Sequence, residues 1–597
     1  MALLAVDWAF IAGFFIISLL IGLLVSKKAG KSSAEFFLSG RSMPWWLLGV
    51  SMVATTFSSD TPNLVTDIVR QNGVAGNWVW WAFLLTGMLT VFVYAKLWRR
   101  SKVLTDLEFY ELRYSGKAAA FLRGFRALYL GVFFNVLIMA SVSLAIIKIG
   151  GVMLNLTPLQ TLLIASVVTV VYSALGGLRG VLITDFFQFA MAMAGAIGAA
   201  VVAVKLPQVG GFHALITNNN IVSKLNLLPD FSNWDALIPL FVLPLAVQWW
   251  SVWYPGAEPG GGGYIAQRML SAKSEKHAVG ATLLFNAAHY ALRPWPWIIV
   301  ALCSLAVFPD LESLRTAFPH VASNVIKHDM AYPAMLTFLP TGLLGLVVAS
   351  LIAAFMSTIS THLNWGSSYV VNDFYKRFIN TEADGKKQVF IGRISTVVLM
   401  ILTGVLALLL SNALQAFQIL LQVGAGTGLL FILRWFWWRI NPYSELTAMV
   451  VSFMVAFYLQ VIHPHTGLPF LSSHLQLLIG VGITTLSWIS VTLFTRPSEE
   501  QTLRSFYRLV KPGGPGWRKV VEKARNEGDP VETGESQWDV PQGIVCMVVG
   551  CLGVYSALFA AGYWIYGRYL PASFLSVLSV ASGFFLMKMW KKLKMQN

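Results

Sequence analysis

Apolar runs of about twenty residues recur from one end of the 597-residue chain to the other. A helix needs about twenty residues to cross the roughly 30 Å hydrocarbon layer of a membrane. Lipid offers no hydrogen bonds to the backbone, so each run must satisfy its own N–H and C=O groups as a helix. Only 12% of the residues are charged, about half the share that is usual in soluble proteins. The sequence therefore predicts an all-α polytopic membrane protein.

The length criterion gives about fifteen transmembrane helices. Their predicted limits are 6–25, 44–69, 78–97, 122–148, 159–175, 183–204, 237–254, 278–307, 335–363, 394–411, 414–433, 443–461, 474–495, 543–566 and 573–589.

The basic residues alternate between loops, which predicts the topology. The net charge is +16, and Lys and Arg collect in every second loop, as at Lys27, Arg99, Arg268, Lys387 and Lys591. Cytoplasmic loops of membrane proteins carry this excess of positive charge. We therefore expect an inner-membrane protein with its N-terminus outside and its C-terminus in the cytoplasm. We expect this positive charge to lie next to the lipid bilayer and not to bind nucleic acid.

Residues 496–540 interrupt the apolar pattern. This stretch is polar and contains two prolines and three glycines between Pro512 and Gly516, a composition typical of loops. We expect a partly flexible cytoplasmic linker whose charges hold the topology.

The second predicted span carries polar groups where lipid would exclude them. Residues 51–63 include six hydroxyl side chains together with Asp60 and Pro62. Such a stretch predicts a broken helix, because non-helical backbone at this depth survives only where it lines a cavity or is buried in protein. The freed carbonyl groups can coordinate a cation, as in secondary transporters. The alternative is a proline kink whose hydroxyls bond back to preceding carbonyls.

The ninth predicted span carries a cluster of hydroxyls. Ser357, Thr358, Ser360 and Thr361 fall within about one and a half turns of helix, and their oxygens suit a hard cation such as Na⁺. The alternative is polar packing between helices. Asp185 opens the sixth span, where an aspartate costs roughly 2.5–3.5 kcal/mol. It should face a partner or an aqueous path, unless it stays at the membrane edge near Arg179.

Several motifs resemble the sodium/solute symporter family, which includes bacterial sugar, proline and sialic acid transporters. They are EFFLSGRSMPWW at 35–46, EFYELRY at 108–114, YSALGGLRG at 172–180 followed by Thr184, Asp185 and Gln188, YIAQR at 264–268, and NDFYK at 372–376. The similarity runs over residues 6–440. It implies the leucine-transporter-type fold, in which a five-plus-five inverted repeat holds sodium and solute near the midplane.

The resemblance also implies a division of the chain. The N-terminal helix and its loop would occupy 1–43, and the two repeats would occupy 44–204 and 205–440. Two peripheral helices at 441–495, the polar loop at 496–540 and two C-terminal helices at 541–597 would complete the chain.

The resemblance further implies where sodium binds. One ion would be held by the carbonyls of Ala54, Phe57 and Ala354 with the hydroxyls of Ser357 and Thr358. A possible second sodium site would use Asp185, Ser357, Ser360 and Thr361. Some relatives carry a carboxylate or amide at the position of Thr56, so the resemblance does not imply that the Thr56 side chain is a ligand. We therefore expect one or two coupling ions.

The solute would meet polar or aromatic groups on the core spans. The candidates are Asp60, Thr61, Asn63, Gln248, Trp249, Trp250, Tyr290 and Gln422. Aromatic faces with a few amide and carboxyl groups suit a polyhydroxylated ring, so a sugar or sugar derivative leads. A carboxylate or an amino acid is the alternative solute, and a proton-coupled transporter of the same fold is the alternative mechanism. An enzyme is not expected, because His289 and His362 have no catalytic partners in sequence. The oligomeric state stays open.

Overall fold

The computed structural model describes residues 3–29, 32–154, 156–252, 258–319, 326–409, 424–532 and 538–595. Within these ranges the regular secondary structure is helical, apart from one isolated bridge between Met43 and Ala272. Eleven of the described helices are long and apolar enough to cross a membrane. They are Ala5–Val25, Val74–Ser101, Gly116–Gly151, Gly177–Lys205, Glu275–Val307, Leu343–Ile379, Gly385–Leu409, Pro442–His465, Ser473–Phe494, Val540–Ile565 and Tyr569–Trp590.

Shorter helices complete the described part of the chain. Three apolar ones are Trp45–Thr56, Pro158–Val171 and Trp234–Ala246. The others of six residues or more that stand apart from the long spans are Ser33–Leu38, Thr61–Asn72, Glu108–Arg113, Phe212–Thr217, Gly263–Ser271, Leu311–Ala317, Ala331–Leu336, Gly428–Leu433, Glu500–Val510 and Arg518–Asn526. Eleven predicted spans thus correspond to long helices. The predicted spans 44–69, 159–175 and 237–254 correspond to shorter ones, and most of 414–433 lies outside the described residues.

A glycine separates the fifth and sixth predicted spans. The hydrogen-bonded helix Pro158–Lys205 contains non-helical backbone at Gly177, where φ is 54°. A Cβ atom on Gly177 would lie 2.8 Å from the carbonyl oxygen of Phe36. Both the left-handed backbone and this close approach require glycine.

The second predicted span is broken as expected. A first half-helix, Trp45–Thr56, ends where Phe57 is extended, with φ −95° and ψ 102°. A second half-helix, Thr61–Asn72, starts after Asp60 and carries Pro62 in its first turn. Proline is tolerated there because its missing N–H would be unpaired in any case. The break therefore comprises Phe57, Ser58, Ser59 and Asp60.

The centre of the molecule is the hydroxyl helix, Leu343–Ser368, which continues as a wider π-type helix to Ile379. Nearly all its side chains are buried. It packs against the first half-helix and against helices Asn135–Leu154, Pro158–Lys205 and Gly385–Leu409. It therefore lies beside the break in the second span.

The prediction of a partly flexible linker over 496–540 is wrong for its described part. Helices Glu500–Val510 and Arg518–Asn526 flank the fully buried Trp517. The Trp517 ring stacks on Phe506 at 5.6 Å, and the Arg113 guanidinium lies 4.8 Å from its centre. Leu503, Phe506, Tyr507 and Val510 are buried, with the three- and four-residue spacing of an amphipathic helix. That spacing signals a folded segment despite its polar composition.

Candidate functional site

A cavity of about 260 Å³ lies beside the break in the second span. Its walls come from both half-helices, helix Asn135–Leu154, the segment 288–293 and the hydroxyl helix. The polar lining residues are Thr55, Thr56, Ser58, Asp60, Thr61, Asn63, Asp67, Ser141, Tyr264, His289, Tyr290, Arg293, Asp329, Thr358 and His362. Pockets for drug-sized ligands span roughly 300–1,000 Å³, so this cavity suits a small solute.

The cavity follows one face of the second half-helix. Asp60, Leu64 and Asp67 are each partly exposed, whereas Pro62, Asn63, Val65 and Thr66 between them are buried. Their spacing of three to four residues places them on one helix face. The cavity therefore runs along the half-helix from the break towards Gly73, and Asp67 and Asp329 line its outer part.

The hydroxyl helix meets the break through Thr358. Its Oγ1 lies 3.0 Å from the carbonyl oxygen of Thr55 and 3.4 Å from that of Phe57. The hydroxyl donates to these carbonyls. A cation of the size of Ca²⁺ takes oxygen ligands at roughly 2.3–2.6 Å, and Na⁺ has nearly the same radius. These oxygens are therefore close enough together to share one such ion.

Of the remaining predicted ligands of this ion, Ala54 and Ala354 lie near the break, whereas the Ser357 side chain bonds to Asp185. Ala54 is the third-last residue of the first half-helix, and its carbonyl oxygen accepts from the N–H of Phe57 at 3.2 Å. Ala354 is buried one turn before Thr358 on the hydroxyl helix. The Ser357 hydroxyl instead donates to Asp185 at 2.7 Å. Ser357 therefore points towards the carboxylate, while Thr358 points towards the break.

Asp185 is fully buried between three helices. One carboxylate oxygen accepts from Ser357, and the other accepts from Ser51 at 2.5 Å. The Arg268 guanidinium lies 3.7 Å from the second oxygen. The interpretation of Asp185 as facing a partner holds, and the partner that sequence reasoning missed is Arg268.

Arg268 also binds Thr361, one of the two remaining residues predicted for a second ion. Its Nη2 donates to Thr361 Oγ1 at 2.7 Å and to Ser51 Oγ at 3.1 Å. The Ser360 hydroxyl donates to the Ser357 carbonyl of its own helix at 3.1 Å. Arg268 therefore contacts two of the four residues predicted for a second ion, Asp185 and Thr361.

Four of the predicted solute residues line the cavity: Asp60, Thr61, Asn63 and Tyr290. The Oδ1 atom of Asn63 is buried and has no hydrogen-bond partner among the described residues. Three others lie elsewhere. Gln248 donates to the Val79 carbonyl at 2.7 Å, Trp249 accepts from Thr86 through its carbonyl, and Trp250 donates to the Ala246 carbonyl at 2.9 Å. Gln422 lies outside the described residues.

Arg293 and His289 line the cavity without having been predicted to do so. Arg293 Nη1 donates to the Val53 carbonyl at 3.2 Å and to Thr56 Oγ1 at 3.1 Å. The Thr56 hydroxyl also lies 3.0 Å from His289 Nδ1. The sequence did carry a signal, because Arg293 falls inside the apolar run 278–307, where a charge is costly.

The other end of the molecule is closed by buried charges. This face, which we call the basic face, carries the ion pairs Lys96–Asp539 and Arg100–Glu275. Arg126 pairs with Glu258 just before Gly260, whose carbonyl accepts from the Trp98 indole at 2.8 Å. Gly260 and Gly261 have φ values of 86° and 89°, which glycine adopts without strain. The glycine-rich segment, residues 260–263, thus forms a tight turn at this end of the molecule.

The comparisons with known proteins give this architecture a family. The model of the "Sodium:solute symporter family" matches residues 36–452. The chain belongs to this family. Symporters of the family are sodium-coupled transporters and not enzymes, so this chain is a multi-pass membrane transporter that uses Na⁺ as its coupling ion.

Similar symporters include several sugar and polyol transporters. The sodium/glucose cotransporter of Vibrio parahaemolyticus is 27% identical, over 77% of this chain and 85% of its own. The sodium/mannose cotransporter of Bos taurus is 25% identical, over 77% and 80%. A solved Na⁺-coupled sialic acid symporter in a substrate-bound outward-open state has a TM-score of 0.65 and 19% identity, covering 83% of this chain and 99% of its own. That last likeness shows the fold.

Proposed function

We propose that this symporter imports a small polyhydroxylated solute, a sugar or sugar derivative, by alternating access. The observation that carries the proposal is the Thr358 hydroxyl 3.0 Å from the Thr55 carbonyl, at a helix break directly beside the cavity. Discontinuous helices of this kind hold ion and solute together near the midplane in secondary transporters. A solute bound in the cavity would therefore lie within reach of a sodium ion at the break.

The coupling sodium would bind to the carbonyls of Ala54, Phe57 and Ala354 and to the hydroxyl of Thr358. The hydroxyl of Ser357, the adjacent residue, would be a further ligand. The Thr55 carbonyl is an additional candidate ligand because of its distance to Thr358. An ion here would link the first half-helix to the hydroxyl helix. It would thereby favour the conformation in which the cavity is ready for solute.

A second sodium at Asp185, Ser357, Ser360 and Thr361 would have to compete with Arg268. Two unit charges 4 Å apart repel by about 4 kcal/mol at the effective dielectric constant usual near protein surfaces. We propose that Asp185 serves sodium on its way to the cytoplasm, and that a second ion binds there only if Arg268 moves away.

The fold would contain fifteen spans, with the second to sixth and the seventh to eleventh forming the inverted repeat. The basic face would lie in the cytoplasm, which the distribution of Lys and Arg favours. The cavity would then extend towards the outside, past Asp67 and Asp329. The Arg126–Glu258 pair would keep the cytoplasmic side closed, and opening inwards would require the glycine-rich segment to move.

The solute class is supported by relatives and by the cavity. Printed names of relatives include glucose, mannose and myo-inositol cotransporters, all of which concern polyhydroxylated rings. The Trp80 ring stacks on Tyr290 at 5.8 Å and 25°, and Asp60 and Asn63 add planar polar groups to the lining of the same cavity. Aromatic faces combined with a few polar groups bind such rings.

One sodium ion supplies enough free energy for strong accumulation. A charge entering a cell at about 100 mV, inside negative, releases roughly 2.3 kcal/mol. A tenfold sodium gradient adds about 1.4 kcal/mol. Together they support accumulation of a neutral solute by about 500-fold.

The proposal is tested with the full chain in proteoliposomes. Uptake of labelled hexoses, cyclitols and acidic sugars is measured with an inward gradient of Na⁺, or of K⁺ at the same ionic strength, and with a proton gradient alone. We expect at least one of these sugars to be taken up with the Na⁺ gradient, and none of them with the K⁺ gradient or the proton gradient alone. Uptake driven equally well by protons in K⁺ would instead favour the proton-coupled alternative.

The alternative of a carboxylate or amino acid solute has one specific observation in its favour. Arg293 places a guanidinium in the cavity wall, and neutral sugars do not require a positive charge.

A further inference from the structure

Arg293 is a buried charge at the inner end of the cavity. The residue is 2% exposed and lines the cavity. Among the described residues no carboxylate forms an ion pair with it, whereas Arg100 pairs with Glu275 and Arg126 with Glu258. A charge within a membrane protein is costly unless it meets a partner or an aqueous path. The Phe57 and Trp297 rings lie 6.0 and 5.3 Å from the Arg293 guanidinium, and Asp60 interacts with it electrostatically. A directly paired anion would therefore have to come from the cavity.

Among the described residues, two other buried arginines, Arg70 and Arg113, also form no ion pair with a carboxylate. Each of them donates hydrogen bonds from at least two different guanidinium nitrogens. Arg70 donates to the carbonyls of Ser304 and Phe308 from two different nitrogens. Arg113 does the same with the carbonyls of Arg434 and Trp437.

Arg293 differs because Nη1 alone makes its two hydrogen bonds. Its Nε is buried and has no hydrogen-bond partner among the described residues. The edge formed by Nε and Nη2 is the part of a guanidinium that binds a carboxylate through two parallel hydrogen bonds. This edge therefore retains an unused hydrogen-bond donor, Nε.

We propose that the solute of this symporter carries an anionic carboxylate, which binds to Arg293. The inference rests on the proposed function and narrows its solute to acidic sugars, with amino acids as the other source of the same group. Asp60 lines the same cavity and forms no direct ion pair with Arg293 within the described structure. Its carboxylate would accept hydrogen bonds from hydroxyl or ammonium groups of the same solute.

The position of Arg293 also connects solute to sodium. Its Nη1 donates to the Val53 carbonyl and to the Thr56 hydroxyl. Both groups belong to the last turn of the first half-helix, which also contains the Ala54 and Thr55 carbonyls of the proposed sodium site. A guanidinium near a sodium ion repels it, and a carboxylate bound to the guanidinium offsets that repulsion. Sodium and an acidic solute should therefore raise each other's affinity by the same factor.

The two carboxylates in the outer part of the cavity do not prevent this. Asp67 is seven residues beyond Asp60, which corresponds to about 10 Å along a helix. That distance is about one Debye length at physiological salt, so these charges are screened where they face water. They would attract sodium at the entrance.

The test compares acids with the neutral sugars from which they differ only at one carbon. Sodium-driven uptake is measured for glucose against glucuronate and for galactose against galacturonate, with α-amino acids as a separate arm. We expect the wild type to prefer an acid over its neutral counterpart by about tenfold or more. Arg293→Gln should reduce that preference by about tenfold or more, and Arg293→Lys should retain part of it.

Arg70→Gln is the matched control, because it removes a buried guanidinium that does not line the cavity. It should leave the preference for the acid unchanged even if it lowers the amount of folded protein. Preference of the wild type for the neutral sugars would overturn the proposal, and so would an unchanged preference in Arg293→Gln. Binding of ²²Na⁺ separates this from the proposed function. Wild-type protein that binds no sodium would contradict the symport mechanism itself, whereas Arg293→Gln should still bind it.

Discussion

The hydroxyl of Thr358 lies 3.0 Å from the carbonyl oxygen of Thr55, although 303 positions separate the two residues. One group belongs to a continuous, buried helix and the other to the last turns of a broken one. Their proximity joins the two sequence features that most clearly predicted a transporter. A cation between them would connect helices that must move relative to each other during transport.

The pairing of Asp185 with Arg268 predicts a strong dependence of stability on both charges. Asp185→Asn should destabilise the protein by about 3–5 kcal/mol, because it leaves a buried guanidinium without its carboxylate. Thermal unfolding in detergent measures this loss. The double variant Asp185→Asn with Arg268→Gln should recover part of it. If the double variant were less stable than the wild type by the full sum of the two single effects, the two residues would not be coupled.

The sequence predicted those parts of the structure that depend on local pattern. Apolar runs located the long helices, and the hydroxyls and proline of 51–63 located the break. Asp185 was correctly expected to face a partner, but 83 positions separate it from Arg268, and no local pattern joins the two. Ser357 and Thr358 show the same limit of local patterns. The two residues are adjacent in sequence, but adjacent side chains on a helix point about 100° apart, so one meets Asp185 and the other meets the break.

Sequence reasoning also failed where composition and structure diverge. The segment 496–532 was judged by its charges, prolines and glycines, and its amphipathic spacing was overlooked. Arg293 was overlooked for the opposite reason. It was absorbed into an apolar run in which a single charge should itself have indicated a site.

Trp517 predicts that the segment 500–526 is a folded part of the basic face. Trp517→Ala should cost about 3–5 kcal/mol, as is usual for a large aromatic removed from a core. It should also speed tryptic cleavage at Lys519, Lys523 and Arg525. Arg518→Ala is the matched control, because the Arg518 side chain is 78% exposed. Equal cleavage rates in wild type and Trp517→Ala would mean that this segment does not depend on the buried indole.

Asp106 predicts a pH-dependent stability at the basic face. Its carboxylate accepts from the Gly263 N–H at 2.8 Å and from the Tyr369 hydroxyl. Burial, together with the nearby Glu258 carboxylate, raises the pKa of Asp106 to about 6. The folded protein therefore binds this proton more tightly than the unfolded chain does. The contribution of Asp106 to stability decreases as the pH rises from about 4 to about 6, and stays low above that.

Asp106→Asn should remove this dependence. The stability of the variant relative to wild type should rise between pH 4 and pH 7, by up to about 3 kcal/mol, and level off at higher pH. Thermal unfolding across this range provides the measurement, with Glu382→Gln, an exposed carboxylate, as the control. A difference that stays constant across the range would show that Asp106 does not titrate there.

The most direct test of the account is the binding of ²²Na⁺ to the purified full-length protein without solute. Thr358→Val keeps the shape of the side chain and removes the hydroxyl, whereas Thr358→Ser keeps the hydroxyl. Thr403→Val is the matched control, because Thr403 is also buried and its hydroxyl bonds to the Leu399 carbonyl of its own helix. We predict that Thr358→Val lowers sodium affinity by about tenfold or more, a change of about 1.4 kcal/mol. Thr358→Ser and Thr403→Val should bind sodium nearly as the wild type does. Wild-type sodium affinity in Thr358→Val would contradict the proposed site.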